Sequence, residues 1–157
     1  MLLLIERKPT IRFFSPYEEK VLRTVMDRLI PQNDLLLEKR IDLVPLIDDR
    51  LYRNALNGFR YEDMLSDRDA YCEGLRAIDE MARQRFKTQF SELSVRSQEL
   101  ILKSLHDTEP DPPHEVWKRM PVTRFWNMLV RDCANACGSQ APRSGTFLGY
   151  RARLGEQ

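Results

Sequence analysis

Phe13-Phe14-Ser15-Pro16-Tyr17-Glu18-Glu19, running on to Asp27-Arg28-Leu29-Ile30-Pro31, is a helix with both ends written into it. Ser15 can accept a hydrogen bond from an orphan amide of the first turn, and Pro16 stands at the first helical position, where its missing N–H costs nothing. Glu18, three residues after Ser15, can reach back to the Ser15 amide and complete a capping box. Leu22, Val25, Met26 and Leu29 fall at spacings of three and four, so one stripe of the helix is apolar. Pro31 cannot continue it and disfavours helical geometry at Ile30. The stretch predicts a helix over roughly residues 16–30, with an apolar-then-charged lead-in over residues 1–12.

The same grammar recurs downstream. Asp42 to Leu56 carries Leu43, Leu46, Ile47, Leu51, Ala55 and Leu56 at helical spacing, with Pro45 near the first turn and Asn57-Gly58 as the stop. Asp67 is placed to cap a long third helix whose stripe is Tyr71, Leu75, Ile78, Met81, Ala82 and Phe86. Gly74 inside it either weakens the helix by about 1 kcal/mol or admits a close neighbour. Ser94 is a further good cap, with Leu100, Ile101, Leu102 and Leu105 behind it. Glu109-Pro110-Asp111-Pro112-Pro113 breaks helix and reads as a loop between helices. After it, Val116, Trp117, Phe125, Trp126, Leu129 and Val130 belong to one helix or to a pair broken at Pro121, ending at Cys137-Gly138. Residues from Ser139 onward lack apolar periodicity. With no convincing two-residue alternation anywhere, the chain reads as all-α: a compact bundle of about five or six helices. One domain over residues 1–157 is expected, with an extended N-terminal arm (1–12), a helical body (13–138) and an irregular tail (139–157).

Composition narrows the function. Charged residues make up 31% of the 157, and the formal net charge is +1 with no long basic run, so nucleic acid is not indicated as a partner. The longest apolar run, Met1 to Ile5, is far short of the roughly 18 residues of a membrane helix. It is followed rather than preceded by charge, unlike a secretory signal, and no paired arginines stand near it. The 3 cysteines, Cys72, Cys133 and Cys137, are an odd number. Cys133 and Cys137 share a helical face, but small buried residues are a better reading than half a zinc site. No GxGxxG, P-loop, GxSxG, HExxH or haem-attachment motif occurs. His106 lies at a helix end, suited to terminal carbonyls, and His114 beside the proline loop. Asp48-Asp49 and Asp79-Glu80 read as solvated or interfacial helix faces. Tyr71, Phe86, Trp117, Phe125 and Trp126 read as core. Catalytic, cofactor and metal sites are therefore all expected to be absent from this chain.

As a string, FFSPxEExxLxxxxDRLIP over residues 13–31 resembles the opening of the gluconate 2-dehydrogenase subunit 3 family. Tyr71-Cys72-Glu73-Gly74-Leu75 running to Phe86 is similar to that family's YxxGLxxLDxxAxxxF segment. Phe90-Ser91-Glu92-Leu93-Ser94 with Gln98 is similar to its FxxLSxxxQ connection. The resemblance implies a small, cofactor-free subunit whose large partner is a flavin (FAD) dehydrogenase of the glucose-methanol-choline type that oxidises a sugar, glycoside or sugar acid. A cytochrome c subunit often takes the electrons onward. Such a subunit clasps the flavoprotein, stabilises it and in exported members escorts it, so both a periplasmic and a cytoplasmic location stay open. Phe13, Phe14 and Trp117, with a tail anchor of Phe147, Leu148 and Tyr150, are the expected partner contacts. The alternative is a free-standing helical adaptor or regulator.

Overall fold

In the computed structural model, residues 10–30, 42–54 and 64–137 are described, and they carry six helices and no strand. They are α1 (Pro16–Leu29), α2 (Val44–Tyr52), α3 (Asp67–Phe86), α4 (Val95–His106), α5 (Val116–Arg119) and α6 (Val122–Cys137). A single turn of 3-10 helix, Phe90–Glu92, joins α3 to α4. The all-α expectation is met. The capping box at the start of α1 is present in full: Glu18 N–H donates to Ser15 Oγ at 3.1 Å, and Ser15 N–H to Glu18 Oε1 at 2.9 Å. Ser94 likewise caps α4, accepting from Ser97 N–H. The cap of α3 is Ser66 rather than Asp67, because the Asp67 carboxylate is drawn away to Arg50 while the Ser66 hydroxyl takes the Asp69 amide.

The long α3 is the hub. It packs on α1, α4, α5 and the 3-10 turn, while α1 also meets α2, α4 and α6. Its Tyr71, Leu75, Ile78, Met81 and Ala82 are fully buried, and Phe86 at its end is half-buried. Onto this face come Leu22 and Val25 of α1, Ile101, Leu102 and Leu105 of α4, and Phe125 and Leu129 of α6, each fully buried. A side chain of this kind contributes roughly 1.5–3 kcal/mol on leaving water. The proline-broken pair is the outcome near Pro121, whose carbonyl accepts the Phe125 amide at 3.1 Å as α6 begins. At Gly74 the close-neighbour reading holds: a Cβ there would lie 2.2 Å from Phe125 Cε1.

Two expectations for α2 are corrected. The helix begins at Val44, with Asp42 outside it accepting the Val44 amide. Its buried residues are Val44, Ile47, Asp48 and Leu51, spaced three and four apart, so Leu46 falls off that stripe and is 52% exposed. Asp48 and Asp79, read as solvated or interfacial, are instead buried, at 0% and 1% exposed. Ala55, Leu56, the Asn57-Gly58 stop, Met1 to Ile5, Gly138 and the tail lie outside the described residues.

Candidate partner interface

Three buried aspartates organise the described chain, and each one ties together segments far apart in sequence. Asp48, on α2, accepts three main-chain hydrogen bonds: Arg12 N–H to Oδ2 at 2.8 Å, and Phe13 and Phe14 N–H to Oδ1 at 2.9 Å each. Amides aimed at a carboxylate form charge-assisted bonds, and they balance a charge whose burial would otherwise be costly. The segment entering α1 is thereby pinned to α2. Phe14, so held, is 5% exposed and edge-on to the Tyr71 ring, with centroids 5.8 Å apart. Phe13 packs on Phe14 at 5.2 Å, half-buried beneath the Arg68 guanidinium.

Outside this anchor the chain presents a compact mixed surface. The Arg12 guanidinium lies 4.2 Å over the Tyr52 ring and pairs with Asp49 at 2.5 Å, and Arg53 reaches the other Asp49 oxygen at 2.9 Å. Tyr52 is 48% exposed, and Leu46 stands a turn before Asp49 on the same helix. Arg68 donates to the carbonyls of Leu51 and Tyr52, satisfying the C-terminal end of α2.

Asp79 is the second buried aspartate. It accepts from Tyr17 Oη at 2.8 Å, Arg83 Nε at 2.7 Å and the Phe90 amide at 2.8 Å, joining the start of α1 and the 3-10 turn to α3. Gln98 completes that junction by donating to the Phe90 and Leu93 carbonyls. Burial works to raise the Asp79 pKa, but the bonds from Arg83, Phe90 and Tyr17 outweigh it and hold the carboxyl below its ordinary value. Burial, reinforced by Asp79, pushes the Tyr17 phenol up. A depressed carboxyl pKa contributes stability above the unfolded-state value of about 3.9 and loses it as pH falls through the folded-state value. Urea unfolding followed by circular dichroism should therefore show stability declining below about pH 4, with a shallower decline in Asp79→Asn. Parallel pH curves for the two proteins would contradict this role.

The third, Asp132 on α6, accepts from Tyr71 Oη and Arg50 at 2.6 Å each, while Arg50 also binds Asp67 at 2.8 Å. The arrangement locks α2, α3 and α6 together. Burial, then Asp132, drives the Tyr71 pKa well up. Burial disfavours the Arg50 charge, but Asp132 and Asp67 more than restore it.

The remaining candidates are accounted for by local contacts. The Cys72 thiol is half-buried, and burial followed by its bond to Glu18 pushes its pKa up to about 12, which makes it a poor nucleophile. Cys133 is fully buried, as a small core residue, and the side chain of Cys137 lies outside the described residues. His106 meets the Asp107 carboxylate at 2.8 Å and the Trp126 ring edge, so the helix-end position holds but a carboxylate is among its partners. His114 accepts the Val116 amide at Nδ1, which puts its proton on Nε2, 2.6 Å from Glu80. Among the described residues no cluster of His, Cys, Asp and Glu could hold a metal ion, and no helix is long and apolar enough to cross a membrane.

Of the expected partner contacts, Phe13 and Phe14 are brought together. Trp117 is half-buried against Phe125, with centroids 5.3 Å apart and its indole N–H buried without a partner. Phe147, Leu148 and Tyr150 lie outside the described residues. The surface residues missed in the sequence are Arg12, Leu46 and Tyr52. For Leu46 the signal was available, since Val44, Ile47 and Leu51 already define a stripe that excludes it.

No curated protein and no solved structure matches the chain. Residues 16–153 match the family described as gluconate 2-dehydrogenase subunit 3, a span that takes in the six helices of the described residues, from Pro16 to Cys137. The chain belongs to the gluconate 2-dehydrogenase subunit 3 family and is an accessory subunit of a dehydrogenase complex.

Proposed function

We propose that this subunit acts without catalysis of its own: it binds and stabilises an FAD-dependent dehydrogenase of the glucose-methanol-choline type, and accompanies it where the complex is exported. The partner holds the flavin and oxidises a sugar, glycoside or sugar acid, passing electrons onward to an acceptor such as a cytochrome c subunit. The observation that carries this reading is the use made of the buried carboxylates. Asp48 accepts from three main-chain amides, Asp79 from an amide, an arginine and a tyrosine, and Asp132 from a tyrosine and an arginine, all of this chain. They rigidify a scaffold and place Arg12 and Tyr52 at its surface. Groups engaged in this way hold a surface in shape, which is what a binding subunit requires.

The test is to produce the full-length chain with and without a flavoprotein dehydrogenase from the same genome. The lone chain should show no flavin absorbance and oxidise no sugar acid, and the co-purified pair should do both. Stoichiometric flavin in the lone chain would overturn the reading.

A further inference from the structure

The exposed apolar residues of the described chain are not evenly scattered. Of the large hydrophobic side chains that stand out in solvent, Tyr17, Leu46, Tyr52 and Val95, two belong to the short α2. Leu46, Asp49 and Arg53 follow at spacings of three and four, so they share one helical face, and Tyr52 adjoins it. The charge on this face is unbalanced. Arg12 and Arg53 share the single carboxylate of Asp49, one on each oxygen. A guanidinium carries five N–H donors, so both retain donors for a further acceptor.

Several other ion-paired clusters are matched evenly. Arg76 and Arg119 meet Glu73, and Arg119 also meets Glu115, two cations against two anions. Lys103 is paired with Asp107, and Arg83 with Asp79. The dipole of α2 accounts for cations near its C-terminal end, Arg53 and Arg68. It does not account for Arg12, which arrives from outside the helix, nor for Leu46 and Tyr52.

Arg12 is also pre-ordered. Its amide is fixed by Asp48 and its guanidinium lies on the Tyr52 ring, so little side-chain freedom remains to be lost on binding. Arginine and tyrosine around an aliphatic residue are the composition in which binding energy concentrates.

We infer that the outer face of α2, formed by Leu46, Tyr52 and Arg53 together with Arg12, docks on a carboxylate-bearing apolar patch of the dehydrogenase subunit. This rests on the proposed function and names the surface that performs it. The partner's carboxylates take the free donors of Arg12 and Arg53, and its apolar groups cover Leu46 and Tyr52. Asp48 is the positioning residue, acting through the main chain of Arg12.

The experiment is titration of the dehydrogenase subunit with the full-length chain at two salt concentrations, using Leu46→Asp/Tyr52→Ser, Arg12→Glu/Arg53→Glu and, as control, Val95→Asp. Each α2-face variant should bind at least roughly tenfold more weakly, and the charge-reversed one should lose most of the salt dependence. The control should bind as wild type. Hydrogen exchange on the wild-type complex gives a readout that needs no variant: the amides of α2 should exchange more slowly than in the lone chain. If wild type binds while both α2-face variants bind equally well and α2 exchange is unchanged, the docking face is wrong and the subunit reading stands. If wild type fails to bind, both fall. Self-association of the lone chain that these substitutions abolish would assign the face to a second copy and overturn the inference.

Discussion

Asp48→Ala is expected to destabilise the protein by about 3–5 kcal/mol, since main-chain amides left without an acceptor cost about 1–3 kcal/mol each where they are buried. The Phe14 amide is buried and those of Arg12 and Phe13 partly so, and Asp48 is the acceptor for all three. Against a typical total of about 5–15 kcal/mol this is a large fraction. Loss of the anchor should also release the segment before α1, so limited proteolysis should cleave ahead of Ser15 far faster than in wild type. Asp48→Asn should restore part of the loss, because its carbonyl oxygen still accepts while its NH2 meets another donor. A urea midpoint for Asp48→Ala within experimental error of wild type would show that the carboxylate is not a fastener.

Gly74→Ala should lose about 1–3 kcal/mol, against the gain of about 1 kcal/mol that helix propensity alone predicts. The added Cβ would stand 2.2, 2.5 and 2.8 Å from three carbons of the Phe125 ring. Phe125 is fully buried and flanked by Trp117, so it has little room to swing aside. The two effects have opposite signs, and thermal unfolding separates them. A double variant, Gly74→Ala with Phe125→Leu, should recover stability relative to Phe125→Leu alone, because the smaller side chain removes the collision. A Gly74→Ala protein more stable than wild type would mean that α6 shifts freely over α3.

How far the sequence could be read depended on the distance between interacting residues. The capping box of α1, the Ser94 cap, the break at Pro121 and the stripe of α3 all depend on neighbours within a turn or two, and all are found. The fasteners are different. Asp48 serves amides 34 to 36 residues away, Asp79 the Tyr17 hydroxyl 62 away, and Asp132 the Arg50 guanidinium 82 away. Nothing local marks an aspartate as buried when its partners arrive only on folding. A faint sign exists at Asp48, which occupies an apolar-stripe position between Ile47 and Leu51. A carboxylate there either faces a partner or is matched inside. Asp67 misled as a cap for the same reason, since its partner Arg50 is 17 residues upstream. The motif FxxLSxxxQ was legible as a string, but the work of Gln98 in holding the Phe90 and Leu93 carbonyls is visible only in three dimensions.

The measurement closest to the central claim is the mass and flavin content of what elutes when this chain is co-expressed with its dehydrogenase. Size-exclusion chromatography with light scattering, read alongside flavin absorbance, should give one peak holding both polypeptides and the flavin of the larger. The dehydrogenase made alone should be less soluble and should lose flavin on heating sooner. A flavoprotein that elutes by itself, with the same mass, flavin content and thermal stability whether or not this chain is present, would contradict the account.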